Sequence, residues 1–367
     1  MALDIQKKFG DQINEFIEQG VAVAVPTLAE IDPKGHISEE VLSRLVIAIE
    51  VGNPKEWMSE YLDNEIEFPI DTFPPEFQEF YRGFSERELA EIKACTSLMT
   101  QIANVSRLSN EDFQRANPEI IAKFKTLYKL AEMRIMYFIK NKIKDLINEG
   151  LPEGESKDPK KVLNLFALRG AKVFENQYNF GVSKEVEMKR IPLLDGSYVV
   201  GVGPEFQQLL DMPLEEKAMV EDVILPDDCI STGMSEGALV KLLKMAGFNP
   251  KRIIIPATVA VRGGLAYIAK IVKETFPDCT LSLPAGEPCS SVNDLMYLMV
   301  KKLFKVGDMG FFNYVASNED LANVPTGETP MNTNMDLVKL AFYVTDPEGL
   351  LRYLEHVTNQ LFSTTEA

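Results

Sequence analysis

Residues 222–237 read Asp-Val-Ile-Leu-Pro-Asp-Asp-Cys-Ile-Ser-Thr-Gly-Met-Ser-Glu-Gly, and the rest of the chain takes its meaning from them. The apolar run Val223–Leu225 predicts a short buried strand. It ends in two adjacent carboxylates, Asp227 and Asp228. Cys229 and Ile230 come next, then Ser231, Thr232, Gly233, Met234 and Ser235, and then a helical pattern from Glu236 to Ala246. A strand, a tight turn bearing hydroxyls and a glycine, and a helix start together make an anion site, because free backbone N–H groups and the helix dipole point at the same place. Gly233 allows the backbone a close approach to the anion. A site for phosphate alone has no use for two carboxylates. A ligand with phosphate at one end and vicinal hydroxyls or a metal ion at the other does, since carboxylates accept from hydroxyls and suit Mg²⁺. A strand–turn–helix without any ligand satisfies the same local pattern, so the neighbouring segments have to decide. No Gly-Lys-Ser/Thr follows a glycine here, and no Gly-x-Gly-x-x-Gly opens the helix, which excludes a P-loop and a dinucleotide fingerprint.

The order hydrophobic strand, two acids, small residue, Thr-Gly resembles the PRPP-binding motif of type I phosphoribosyltransferases, and within them the uracil phosphoribosyltransferases most. The second acid is commonly proline in the uracil enzymes, so Asp227-Asp228 is nearer the general pattern. Met234 stands where a glycine is usual. Arg169-Gly170-Ala171 resembles the Leu-Arg-Ala-Gly turn of that family with Gly and Ala exchanged. The likeness runs from about 160 to 315, through Arg262-Gly263-Gly264 and Phe276-Pro277-Asp278. It then thins: Gly307, Asp308 and Gly310 match the base-reading segment, while Phe311 and Phe312 replace its closing acid and arginine.

The resemblance implies a set of roles. Asp227 and Asp228 would hold ribose hydroxyls, and Arg169 would neutralise the leaving pyrophosphate; these are the candidate catalytic residues. Cys229, Ser231, Thr232, Gly233, Met234 and Ser235 would bind PRPP. Gly307, Asp308, Phe311 and Phe312 would line the acceptor side. Mg²⁺ would arrive with PRPP, and no residue is assigned as a metal ligand. Lys184, Lys189 and Arg190 flank the predicted hairpin at Asp195-Gly196-Ser197 and are further candidates for phosphate contacts, with solvated hairpin charges as the alternative. Two aromatic rings can stack on a base but cannot neutralise a phosphate, so weak or absent uracil turnover is expected. The competing expectation is a catalytically inactive PRPP- or nucleotide-binding protein, or a structural one, that regulates through a protein partner.

Composition narrows the partners. The chain has 367 residues, a net charge of −17, 46% hydrophobic and 25% charged residues. Such a charge argues against nucleic acid held through its phosphates. Residues 1–100 alone carry 20 Asp+Glu against 8 Lys+Arg. Four scattered cysteines lack metal-ligand spacing, and no apolar run is long enough to span a membrane. A cytoplasmic homodimer without membrane contact is expected.

Three parts are expected: an all-α domain over 1–155, a Rossmann-like α/β domain with a parallel sheet over 156–316, and a loop with C-terminal helices over 317–367. In the front part the spacing predicts helices over 1–20, from Ser38 through Ile49 with Leu42, Leu45 and Val46, and over 120–147, where a basic face offers a partner surface or, more simply, a solvated side of a bundle. Ser85-Glu86-Arg87-Glu88 predicts a capping box. Residues 151–161 read as a polar linker. Strands and helices alternate after it, which implies a parallel sheet.

Overall fold

Short runs of Val, Ile and Leu build the sheet that carries the candidate turn. The computed structural model describes residues 17–18, 22–24, 40, 43–58, 70–108, 118–167, 171–174, 178–193 and 195–289. Strands β1 (Ala22–Ala24) and β2 (Ile47–Gly52) come first, then helix α1 (Pro54–Met58). Helices α2 (Pro75–Arg82), α3 (Glu86–Leu108) and α4 (Pro118–Ile147) follow. Strands β3 (Val162–Ala167) and β4 (Val182–Val186) precede the hairpin β5 (Met188–Pro192) and β6 (Tyr198–Val202). Short helices α5 (Gln207–Leu210) and α6 (Leu214–Met219) lead to β7 (Asp222–Ile224), β8 (Asp227–Ile230) and α7 (Met234–Met245). The described part closes with β9 (Arg252–Ile254), β10 (Ala257–Val261), α8 (Arg262–Thr275), β11 (Thr280–Ser282) and β12 (Ala285–Cys289).

Five strands form a parallel sheet in the order β11-β9-β7-β3-β4. Counted along the chain this is the doubly wound order 2-1-3-4-5. The first crossover leaves β3 on one side and the next returns on the other, so the order reverses between β3 and β7, where such folds bind their ligands. A second parallel ladder, β12-β10-β8, continues three of these strands. The joins are Leu225-Pro226, Ile255-Pro256 and Leu283-Pro284. Backbone bonds still cross them, from Leu225 N–H to Ile254 O (2.9 Å) and from Asp227 N–H to Pro256 O (2.9 Å). Proline cannot donate to a ladder, so three prolines side by side crease the sheet without parting it.

Residues alternate between two interiors along the strands. Leu163, Leu165, Val223 and Ile253 join the core with α7, α8, β2 and β6; Val162, Phe166, Ile224 and Ile254 join the core with α3 and α4. Helices α3 and α4 of the front half therefore cover one face of the parallel sheet. Ser85 and Glu88 form the expected capping box at the start of α3: Ser85 N–H donates to Glu88 Oε2 (2.7 Å), and Glu88 N–H donates to Ser85 Oγ (3.3 Å). The hairpin also forms as read, with Gly196 at φ 84° in its turn.

One local expectation is overturned. The helix expected through Ile49 gives way to β2, which pairs antiparallel with β1 and β6. Leu42, Leu45, Val46 and Ile49 have helical spacing, but Val46-Ile47-Ala48-Ile49-Glu50-Val51 is rich in β-branched residues. Long-range pairing with Val199–Val202 outweighs the weak local preference. The linker at 151–161 is tied down: Asn148 Oδ1 accepts from Lys157 N–H (2.9 Å), and Asp158 caps a turn over 159–161. The expected helix over 1–20 and the tail from 317 onward lie outside the described residues, apart from residues 17–18.

Candidate functional site

The candidate residues run along β8 and into the turn after it, beside the point where the strand order reverses. Asp227 and Asp228 do not end a strand, as expected. They begin β8 just past Pro226, paired beside Ala257 of β10. Asp228 N–H donates to Asp227 Oδ1 (2.7 Å), which folds the first carboxyl back over the strand. Glu236, in the first turn of α7 and 4% exposed, completes a group of three acids. Burial of the Asp227 carboxyl, and then Asp228 and Glu236, raise its pKa well above the ordinary aspartate value. Asp227 thus holds a proton that an exposed aspartate would release.

Ser231, Thr232 and Gly233 then turn the chain into α7. Gly233 caps the helix at φ 75° and supplies no side chain to the first-turn N–H groups. These groups have no intrahelical acceptor, so the helix presents them with its dipole. Ser231 is 6% and Thr232 1% exposed, and neither hydroxyl has a hydrogen-bond partner among the described residues. Buried hydroxyls are rarely left so, because each costs about 1–3 kcal/mol unpaired.

Met234 does not obstruct the turn despite replacing a small residue. Its side chain is fully buried in the core shared by β2, β6, α7 and α8. Cys229, part-buried, packs against the α3–α4 layer. Ser235 lies in the first turn of α7. Asp227, Asp228 and 231–235 are therefore gathered along one strand end and helix start. Arg169, Gly307, Asp308, Phe311 and Phe312 lie outside the described residues. Lys184 lies on β4, and Lys189 and Arg190 lie on β5, paired with Gly201 and Val200.

The sequence marks Arg262-Gly263-Gly264 as a helix start but not its contact with this turn, and it gives no sign that Trp57 reaches it. A Cβ on Gly264 would sit 2.1 Å from Ser231 O, and one on Gly233 would sit 2.6 Å from Gly264 O. The turn after β8 and the start of α8 thus touch backbone to backbone. Arg262, 4% exposed, opens α8 at this contact. Trp57 Nε1–H donates to Thr232 O (3.0 Å) across 175 positions of sequence. Glu236 was nearer to hand, two residues past Met234 in the quoted stretch.

A buried acid cluster next to an uncapped helix start suits a ligand with hydroxyls at one end and an anion at the other. Among the described residues no group of three or more His, Cys, Asp or Glu is arranged to hold a metal ion, and no helix is long and apolar enough to cross a membrane.

No protein-family model and no curated protein matches the chain. Solved structures with partial likeness include adenine phosphoribosyltransferases. That from Giardia lamblia, complexed with 9-deazaadenine, is 16% identical with a TM-score of 0.27, over 44% of this chain and 81% of its own. That from Thermoanaerobacter pseudethanolicus is 17% identical with a TM-score of 0.28, over 45% and 86%. That from Rhodothermus marinus is 12% identical with a TM-score of 0.26, over 42% and 80%. Likeness at this level carries no argument of its own; the function is argued from this chain's residues.

Proposed function

We propose that the chain binds PRPP or a nucleotide at the 227–235 site and transfers a phosphoribosyl group from PRPP to a nitrogen acceptor, most simply a pyrimidine base. One observation carries the reading: two buried hydroxyls without partners among the described residues, Ser231 and Thr232, sit at a helix start that no side chain caps, just past an acid pair. In this reading the N–H groups of the turn and of the first turn of α7 hold the 5′-phosphate, with the two hydroxyls. Asp227 and Asp228 accept from, or donate to, the ribose hydroxyls. A protonated Asp227 can donate to one hydroxyl while Asp228 accepts from the other. By the family resemblance, Arg169 would neutralise the pyrophosphate that leaves as C1′–O breaks and the bond from C1′ to the acceptor nitrogen forms, and Asp308 would belong to the acceptor-binding segment. The centre that develops is oxocarbenium-like, and charges fixed in advance stabilise it and the leaving anion. The described residues do not by themselves hold Mg²⁺, so the ion enters as the PRPP complex.

Calorimetric titration with PRPP and Mg²⁺ tests this reading directly. Saturable binding supports it, and its absence up to millimolar ligand removes it. Given uracil as well, the protein is expected to release little UMP, because Phe311 and Phe312 replace an acid and an arginine in the resembling segment. The raised pKa of Asp227 favours a second reading, binding without turnover, since a neutral carboxyl stabilises a developing cation less. In that case α4 offers a place for a regulatory partner: Leu130, Met133 and Tyr137 leave an exposed apolar strip along it.

A further inference from the structure

Trp57 is the chain's only tryptophan, and it comes from the front half to meet the candidate turn. Gly52, at φ 86°, ends β2 and redirects the chain into the five-residue helix α1. There the indole of Trp57 stacks on Tyr267 of α8, with ring centres 4.1 Å apart and planes 18° from parallel. Tyr267 in turn donates its hydroxyl to Val51 O (2.9 Å), back in β2. α7 presses on the same ring, since a Cβ on Gly237 would sit 2.7 Å from it. Tyr267 is therefore fixed by α7 and by Val51, and the indole stacked on it has its N–H at 3.0 Å from Thr232 O.

Which groups the turn offers depends on that bond. The peptide unit joining Thr232 to Gly233 is planar and trans, so its C=O and N–H point in opposite directions. Fixing Thr232 O on Trp57 directs Gly233 N–H away from the indole. Gly233 has the freedom at φ that would let this peptide turn over, and its φ is 75°. We infer that Trp57 is a positioning residue for the anion turn: it locks the 232–233 peptide so that Gly233 N–H faces the ligand's phosphate. This rests on the reading that the turn binds a phosphate.

Trp57→Phe keeps the ring that stacks on Tyr267 and removes only the donor. The variant is expected to bind PRPP with Mg²⁺ about tenfold more weakly, the weight of one hydrogen bond, at an essentially unchanged melting temperature. In wild-type protein, the single indole N–H resonance is expected to exchange slowly with solvent and to move on PRPP addition. Equal affinity in Trp57→Phe, with wild-type binding intact, overturns the role of Trp57 and leaves the site in place. Failure of wild-type protein to bind PRPP removes the site itself. If the variant does not fold, the wild-type indole decides: a fast-exchanging resonance that PRPP does not shift overturns the inference.

Discussion

Acidic pairs stand at both ends of one short segment, Glu221-Asp222 at the entry to β7 and Asp227-Asp228 at the start of β8, yet their surroundings are opposite. The first pair is ringed by cations. Asp222, 1% exposed, lies 2.6 Å from Lys157 Nζ and 3.4 Å from Arg252 Nε. Glu221 meets Lys157, Lys161 and Lys251 at 3.0–3.3 Å. Hydrogen bonds from Lys157 and Lys251 pull its pKa down to about 2. Burial moves the pKa of Asp227 up, and the carboxyls of Asp228 and Glu236 move it further the same way. The first pair is satisfied by the fold and staples the 151–161 segment to the sheet. The second is costly to the fold on its own, which is what a site awaiting a polar ligand looks like.

The largest expected effect breaks the first pair. Asp222→Ala leaves Lys157 and Arg252 facing a buried gap, and is expected to cost about 3–5 kcal/mol in urea denaturation. If the loss is below about 1 kcal/mol, the cation ring does not act as a staple. The next concerns the ligand side. Thr232→Val keeps the shape and removes one donor, so affinity for PRPP is expected to fall by about 1–3 kcal/mol in calorimetry. Thr258→Val, on β10, replaces another buried hydroxyl without a protein partner and is expected to leave that affinity unchanged.

Titration separates the pairs by sign. Asp227 is protonated more readily folded than unfolded, so native protein binds more protons above pH 3.8. Its contribution to stability is complete below that pH and is lost as pH rises through the folded pKa. Asp227→Asn is expected to be more stable than wild type at pH 7 and equal to it near pH 3. Melting curves at the two pH values that show the reverse order would exclude a shared proton at this site. Glu221 behaves oppositely: its contribution is present above pH 4.5 and is lost as pH falls toward 2. Glu221→Gln is expected to cost about 1 kcal/mol at pH 7, discounted for a rim that is partly open to water, and nothing near pH 2.

Much of the scaffold is legible because its signals are local. Ser85 and Glu88 declare a cap three residues apart; Asp195-Gly196-Ser197 declares a hairpin; the 222–237 stretch orders strand, acids, turn and helix. What stays hidden depends on residues far apart in sequence. Helical spacing around Leu45 and Val46 competes with a partner strand 150 residues away, and the partner wins. Pro226, Pro256 and Pro284 each look like a strand's end when read singly; only the register shows them abreast. The opposite character of the two acid pairs is hidden for the same reason, because the first meets counter-charges from 157, 161, 251 and 252, while the second meets a further acid from 236.

The contact between Gly233 and Gly264 bears on how this chain can drift over generations. Gly233 leaves room for the carbonyl of Gly264, and Gly264 leaves room for that of Ser231, so the two turns form a single inherited unit although 31 positions separate the glycines. A methyl on either one collides with main chain, which cannot swing aside as a side-chain tip can. Descendants that lose one of these glycines would have to move a whole helix start, and the turn at 231–233 would move with it. Copies of this fold that have discarded the ligand are freer to part the pair; those that still use it are expected to keep both.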